Sequence, residues 1–334
     1  MLALCTVILA VAALYLARSI LAPVAFSIFA MTVVWPFQRT LQARMPKLLA
    51  LLLTLLLTLF VLGVLALAIA WGSSQVGQWL FRNADRFQFI YARTNEWLER
   101  HGIFASAMLA DRLDVSWLAH FVQEVAAGLN SMVGFFLLVF AFTFLGLMEV
   151  DGAQSRTEKL ESEYPHLQLS QASKRITTQF QKYIFIRSVS ILTGFVTFSF
   201  AAVVGLELAF AWGVIAFVLN LIPFLGPVAA VLLTTLFAAA QFETLQMTLV
   251  VLAGLSIIHF WIGSYIEPLL AGATLAISPF LVLLAVFFWS FLWGIPGAFI
   301  GVPATIAILI ICEQHAASRW IAVMLSDVAR RKYE

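Results

Sequence analysis

Asn220, Pro223, Gly226 and Pro227 fall within eight residues of an otherwise apolar run, Asn220-Leu-Ile-Pro-Phe-Leu-Gly-Pro227. Proline removes a backbone donor, and its ring clashes with the carbonyl four residues back. Two prolines this close together therefore leave several backbone groups of a helix unpaired. In lipid such groups are tolerated only against protein or a water-filled cavity. Transporters use broken helices of this kind to hold ions and polar solutes with freed carbonyls and half-helix dipoles; the competing reading is a kink that serves packing. An amide side chain at the depth of Asn220 needs a hydrogen-bond partner, which favours the first reading.

A second group of polar residues follows. Glu267 lies in Gly263-Ser-Tyr-Ile-Glu-Pro268, at the end of a long apolar run. It is either interfacial and solvated, or buried and carrying a proton or a cation. Pro268 favours a helix end at Glu267. His259 precedes Glu267 by eight residues, about 12 Å along a helix, so contact between them within one helix is excluded. Ser278-Pro279 reads as a helix start, with serine as the cap and proline at the first position. Gly297 and Gly301 stand four apart on one face, a spacing that lets a neighbouring helix approach closely.

Enzymatic constellations are missing. The chain has no phosphate-binding Gly-Lys-Ser/Thr loop, no His-Glu-x-x-His pair and no cysteine cluster, so ATP hydrolysis and metal chemistry are excluded as readings. Cys5 and Cys312 both sit in apolar runs and read as small buried side chains. No cofactor, metal or nucleic-acid partner is expected.

The elements that must position these residues are set by composition. With 63% hydrophobic and 11% charged residues, the chain lies far from the soluble range of roughly a quarter charged. Between Arg187 and Arg319 it carries no lysine, arginine or aspartate, and its only carboxylates there are Glu207, Glu243, Glu267 and Glu313. A charge at mid-bilayer costs about 2.5–3.5 kcal/mol on insertion scales, so this stretch is solvated by lipid. At about 20 apolar residues per crossing the chain supplies about eight helices. The fold class is therefore all-α: a polytopic integral membrane protein with broken or re-entrant segments in its C-terminal half.

Transmembrane helices 1–3 are expected in residues 1–71, from Leu2–Leu16, Ile20–Trp35 and Leu48–Trp71, with Pro36 ending the second. Leu2 to Trp35 reads as a retained hairpin and not as a cleaved leader. Residues 72–128 form an amphipathic extracytoplasmic segment of balanced charge, in which Phe87, Ile90, Trp97 and Leu98 approximate a helical stripe. A fourth crossing spans 129–150, and a polar cytoplasmic linker spans 151–187. Residues 188–313 form the C-terminal core, with crossings at Ser188–Val204, Phe210–Ala240, Leu245–Ile266 and Pro279–Cys312. Residues 314–334 are a cytoplasmic tail. The basic blocks Arg39–Lys47, Arg156–Arg187 and Arg319–Lys332 face the cytoplasm by the positive-inside tendency, and both termini fall on that side.

The succession Tyr183-Ile-Phe-Ile-Arg187-Ser, Thr193-Gly194, Trp212-Gly213, Asn220 to Pro227, Ile266-Glu-Pro-Leu-Leu-Ala-Gly272, Leu275 to Pro279 and Phe288-Trp to Pro303 resembles the autoinducer-2 exporter (AI-2E) family of bacterial permeases. The closing Ile321-Ala-Val-Met-Leu-Ser-Asp327 is similar to the branch named for export of autoinducer-2. The resemblance is strong over Gln179–Asp327 and rests on hydropathy and helix order before that. It implies an eight-helix protein of the bacterial inner membrane that forms homo-oligomers, with a pentamer as the expected assembly. Pro227 departs from the pattern, since the exporter branch often has serine there.

Together these features predict a permease that exports a small, polar, largely uncharged metabolite such as autoinducer-2. The substrate-binding or translocation residues expected are Tyr183, Arg187, Asn220, Pro223, Gly226, Glu267, Pro268 and Ser278. A sodium or lithium/proton antiporter is the alternative, with Glu207, His259 and Glu267 as its coupling groups. A membrane scaffold without transport is the third reading. The expected partners are the lipid bilayer, a small-molecule or monovalent-ion substrate, and further copies of the chain.

Overall fold

A computed structural model describes residues 2–83, 86, 116–164, 169–271, 278–314 and 318–325, and among these residues there is no strand. Helices α1 (Leu2–Leu16), α2 (Arg18–Gln42) and α3 (Lys47–Arg82) come first, followed by α4 (Ser116–Glu163) and α5 (Leu169–Arg187). Helices α6 (Val189–Val204), α7 (Ala209–Asn220), α8 (Leu225–Phe242) and α9 (Leu245–Trp261) follow. A π-helical turn at Ile262–Ile266 joins α9 to α10 (Glu267–Ala271), and the described chain closes with α11 (Pro279–Gln314) and α12 (Arg319–Leu325). Seven of the described helical stretches are long and apolar enough to cross a membrane, and α7 is a shorter apolar helix. Most of the amphipathic stripe expected in 72–128, with Phe87, Ile90, Trp97 and Leu98, lies outside the described residues.

Two prolines expected to end helices do not. Helix α2 runs through Pro36 to Gln42, and the chain past Glu267 continues helically through Pro268. Before Pro268 the helix widens into the π turn, which absorbs the clash between the proline ring and the preceding turn. Ser278 does cap α11: its hydroxyl oxygen accepts the Leu281 N–H at 3.3 Å.

The chain forms two compact units. The first comprises Met1–Gly63, Phe135–Ser188 and Pro268–Glu334; the second comprises Val64–Gly134 and Val189–Glu267.

Within the first unit, α11 is two antiparallel arms joined at Gly294, whose φ of 65° and ψ of −143° are non-helical. A Cβ on Gly301 would stand 3.1 Å from the Ala285 carbonyl oxygen. Sixteen residues of straight helix would separate these positions by about 24 Å, so the chain has turned back. The Trp289 indole donates to the Thr305 hydroxyl across the hairpin at 3.0 Å. Near the hairpin tip, the Trp293 indole donates to the Leu14 carbonyl at 3.2 Å, which satisfies one of the unpaired carbonyls in the last turn of α1. Phe29 of α2 packs edge-on against Phe180 and Tyr183 of α5. Arg175 pairs with Glu313 at 3.1 Å, and the Glu161 carboxylate accepts the Ser170 N–H at 2.6 Å, capping α5.

Within the second unit, α6 packs on α7, α7 on α8, α8 on α9, and α9 back on α6. Gly194 and Gly213 allow the α6–α7 approach: a Cβ on either would come within 3.0 Å of the other's carbonyl oxygen. The last two turns of α3 join the same unit, with Trp79 packed on Phe237 at a ring separation of 4.1 Å.

Candidate functional site

The break at Pro223 reverses the chain, so Phe210–Ala240, expected to be either one crossing or a re-entrant hairpin, is a helical hairpin. Pro223 cannot extend α7 without striking the Leu219 carbonyl. The turn is closed by Leu225 N–H donating to the Pro223 carbonyl at 2.6 Å and Gly226 N–H donating to the Ile222 carbonyl at 3.1 Å. Phe224 takes a φ of 59°, rare for a non-glycine residue. Gly226 then lies against the end of α7, where a Cβ would stand 1.9 Å from the Leu219 oxygen. With 12 residues, α7 is about 18 Å long, short of the ~30 Å hydrocarbon core. The hairpin tip therefore ends inside the bilayer.

The opposite ends of these helices are tied together. Gln241, at the end of α8, accepts the Glu207 N–H at 2.7 Å and donates its side-chain amide to the Gly205 carbonyl at 2.9 Å. The Trp79 indole donates to the Glu207 carboxylate. Arg86 donates to the Gln241 carbonyl at 3.3 Å and stands 3.8 Å from the Glu243 carboxylate. This clasp gives the α6–α7 and α8–α9 connections a common level. Glu207 is exposed and engaged there, as a brace between connections and not as a carboxyl buried among the helices.

Below the clasp lies an apolar core that includes Trp79, Ala201, Leu206, Trp212, Val231, Phe237 and Leu255. The same helix faces then turn polar. On α6, Thr197 lies one turn from Ala201, with Thr193 and Ser190 beyond it. On α7, Asn220 lies two turns past Trp212; on α8, Thr234 lies between Val231 and Phe237; on α9, His259 lies one turn past Leu255. All are buried, Asn220 to 3% exposure and His259 to 7%. Counted along their helices from the clasp, Thr197 and Thr234 sit about 11–12 Å deep, Thr193 and Asn220 about 17 Å, and Ser190 and His259 about 21 Å. That is the middle of a bilayer.

Hydrogen bonding distinguishes these groups from ordinary helix residues. Thr32, Thr40, Thr54, Thr58 and Thr248 each donate to the carbonyl four residues back. Among the described residues, the buried hydroxyls of Ser190, Thr197 and Thr234 and both ring nitrogens of His259 have no protein partner. Asn220 donates to the Ala216 carbonyl at 2.7 Å, the partner its depth demanded. Buried polar groups are nearly always satisfied, so unsatisfied ones gathered on the packed helices of one unit mark a place where a solute or water completes the bonding. None of the helices α6 to α9 carries a lysine, arginine, aspartate or glutamate; Glu207 and Glu243 belong to the connections.

Of the residues singled out from the sequence, Asn220, Pro223 and Gly226 are brought together at the hairpin tip, and His259 lies at comparable depth in the same unit. Glu267 is half-buried at the start of α10. Tyr183, Arg187, Pro268 and Ser278 belong to the first unit, where the Arg187 guanidinium lies 5.9 Å from the Tyr183 ring centre. Sequence reasoning missed Thr197 and Thr234. The signal for Thr197 was a run of hydroxyl residues at helical spacing, Ser190, Thr193 and Thr197, in an otherwise largely apolar segment, and Thr234 had none beyond its neighbour Thr235.

An all-helical, multi-pass membrane protein with a hairpin that ends inside the bilayer and a buried set of neutral polar groups has the build of a solute transporter. The sequence profile of the AI-2E family transporters matches residues 4–317, and the chain belongs to that family. It is 28% identical to the AI-2 transport protein TqsA of Escherichia coli (strain K12), over 93% of this chain and 91% of that protein. It is 26% identical to a Haemophilus influenzae protein named "Putative transport protein", over 98% and 96% of the two chains. A Borreliella burgdorferi protein of the same name is 30% identical over 64% of this chain and 60% of its own.

Proposed function

We propose that this transporter exports a small, polar, uncharged metabolite through the interior of the second unit, with autoinducer-2 as the first cargo to test. The observation that carries this reading is the chemistry of that interior: hydroxyl, amide and imidazole groups buried on four packed helices that bear no fixed charge. A hydroxyl-rich neutral solute can exchange its bonds to water for bonds to such a lining. A dianionic phosphate would find no cation to pair with and would keep its full desolvation cost. The similarity to a protein named for AI-2 transport points to the same class of cargo.

Replacing Thr197 or Thr234 by valine tests this, because valine keeps the shape and removes only the hydroxyl. An unsatisfied buried hydroxyl costs about 1–3 kcal/mol, so the variants are expected to be as stable as the wild type or more so. AI-2 efflux from cells is expected to fall several-fold in either variant. Wild-type efflux from both would remove the site.

A further inference from the structure

His259 stands apart in the polar layer. It is the one titratable side chain on α6, α7, α8 and α9, it is buried, and among the described residues neither ring nitrogen has a protein partner. The helices packed against α9, namely α6 and α8, offer it no charged or titratable group. The nearest such groups on its own chain segment are Tyr265, exposed and stacked on Trp261 at 4.5 Å, and Glu267, about 12 Å further along the helix. Glu207 and Glu243 are at the clasp, about 21 Å away along α9, with Arg82 and Arg86 at the described end of the α3 segment.

A neutral imidazole offers one donor and one acceptor nitrogen; an imidazolium offers two donors and no acceptor. In a layer whose other groups are hydroxyls and amides, the bare ring nitrogen is the strongest acceptor available to a cargo hydroxyl. Protonation abolishes that acceptor. The resulting charge has no carboxylate to meet on α6, α7, α8 or α9.

From this arrangement we propose that His259 couples export to proton entry: a cargo hydroxyl and a proton are alternative occupants of the same ring nitrogen. This rests on the export reading above. In each cycle the neutral ring binds cargo from the cytoplasm and releases it outside. It then takes one proton there on the vacated nitrogen and gives it up to the cytoplasm before the next cargo binds. Only an N–H bond forms and breaks, and one proton moves inward for each neutral molecule moved outward.

The test uses everted membrane vesicles containing the full-length protein, with AI-2 added outside and an acid-inside pH gradient imposed. Wild-type protein is expected to accumulate AI-2 above the outside concentration, and a protonophore to abolish the accumulation. His259→Gln retains a donor and an acceptor but does not titrate at these pH values. It is expected to equilibrate AI-2 downhill, lose gradient-driven accumulation, and show a flat rate between about pH 5.5 and 8. His259→Asn serves if the glutamine variant fails to insert. Gradient-driven accumulation by both variants would overturn the coupling role while leaving the export reading intact, as would wild-type equilibration indifferent to the gradient. No wild-type AI-2 movement at all would overturn both.

Discussion

Gly226→Ala puts the hairpin geometry to its strictest test. The new Cβ would stand 1.9 Å from the Leu219 carbonyl oxygen, 2.5 Å from its carbonyl carbon and 3.0 Å from the Asn220 Cα. A carbon–oxygen contact relaxes at about 3.3 Å, so the two arms must part by about 1.4 Å at the tip. Every atom in the way is backbone, and no rotamer change relieves the clash. Overpacking on this scale costs about 3 kcal/mol or more, while alanine returns at most about 1 kcal/mol of helix propensity. A net loss of about 2–3 kcal/mol lowers the folded fraction ratio by about 30- to 150-fold. Since Asn220 is one of the displaced residues, flux of the proposed cargo is expected to fall even in molecules that remain folded. Gly63→Ala is the control, because a Cβ there meets nothing within 4 Å, and it should be neutral or stabilising. Thermal unfolding in detergent and flux in vesicles read the two effects separately. A Gly226→Ala protein matching the wild type in both would refute the reversal at Pro223.

Two further outcomes are expected outside that hairpin. Gly294→Ala has room for its methyl group, yet it must hold a φ of 65° with a ψ of −143°, a region occupied essentially by glycine alone, and should lose about 1–3 kcal/mol in the same unfolding assay. The Glu161 carboxyl titrates below its ordinary value because the Ser170 backbone N–H, and then its side chain, bond the charged form. A depressed folded-state value means the contribution to stability is complete above the ordinary carboxyl range near 4.5 and is lost as pH falls through the lower folded value. The protection factors of the first-turn amides of α5, that is their exchange rates corrected for the intrinsic pH dependence, should therefore fall on acidification in the wild type, and be lower and insensitive to pH over that range in Glu161→Gln.

The legible and illegible parts of this protein divide by cause. The Asn220–Pro227 break was visible because proline and asparagine in lipid violate what a plain crossing needs. Whether that break kinked the helix or reversed it was not visible. The decision rests on φ at Phe224 and on a backbone contact at Gly226, neither of which leaves a compositional mark. Pro36 and Pro268 carried the same local signal as Pro223, yet the helices run through them, and at Pro268 a π turn relieves the clash. Glu207 was conspicuous as a rare carboxylate, but its role as a brace depends on Trp79 and Gln241, which are remote from it in sequence.

Sequence alone determined the solvent of this chain, its helical class and its family, since these follow from hydropathy, from the missing cations and from motifs whose residues are close together. Tertiary structure alone decided which polar residues share an interior. In a water-soluble helix the buried face is marked by apolar residues against a polar remainder, whereas a helix in lipid is apolar all round. Thr197, Thr234 and His259 could have faced lipid or protein with the same sequence, and only the closure of α6 to α9 into one packed unit buried them in one interior.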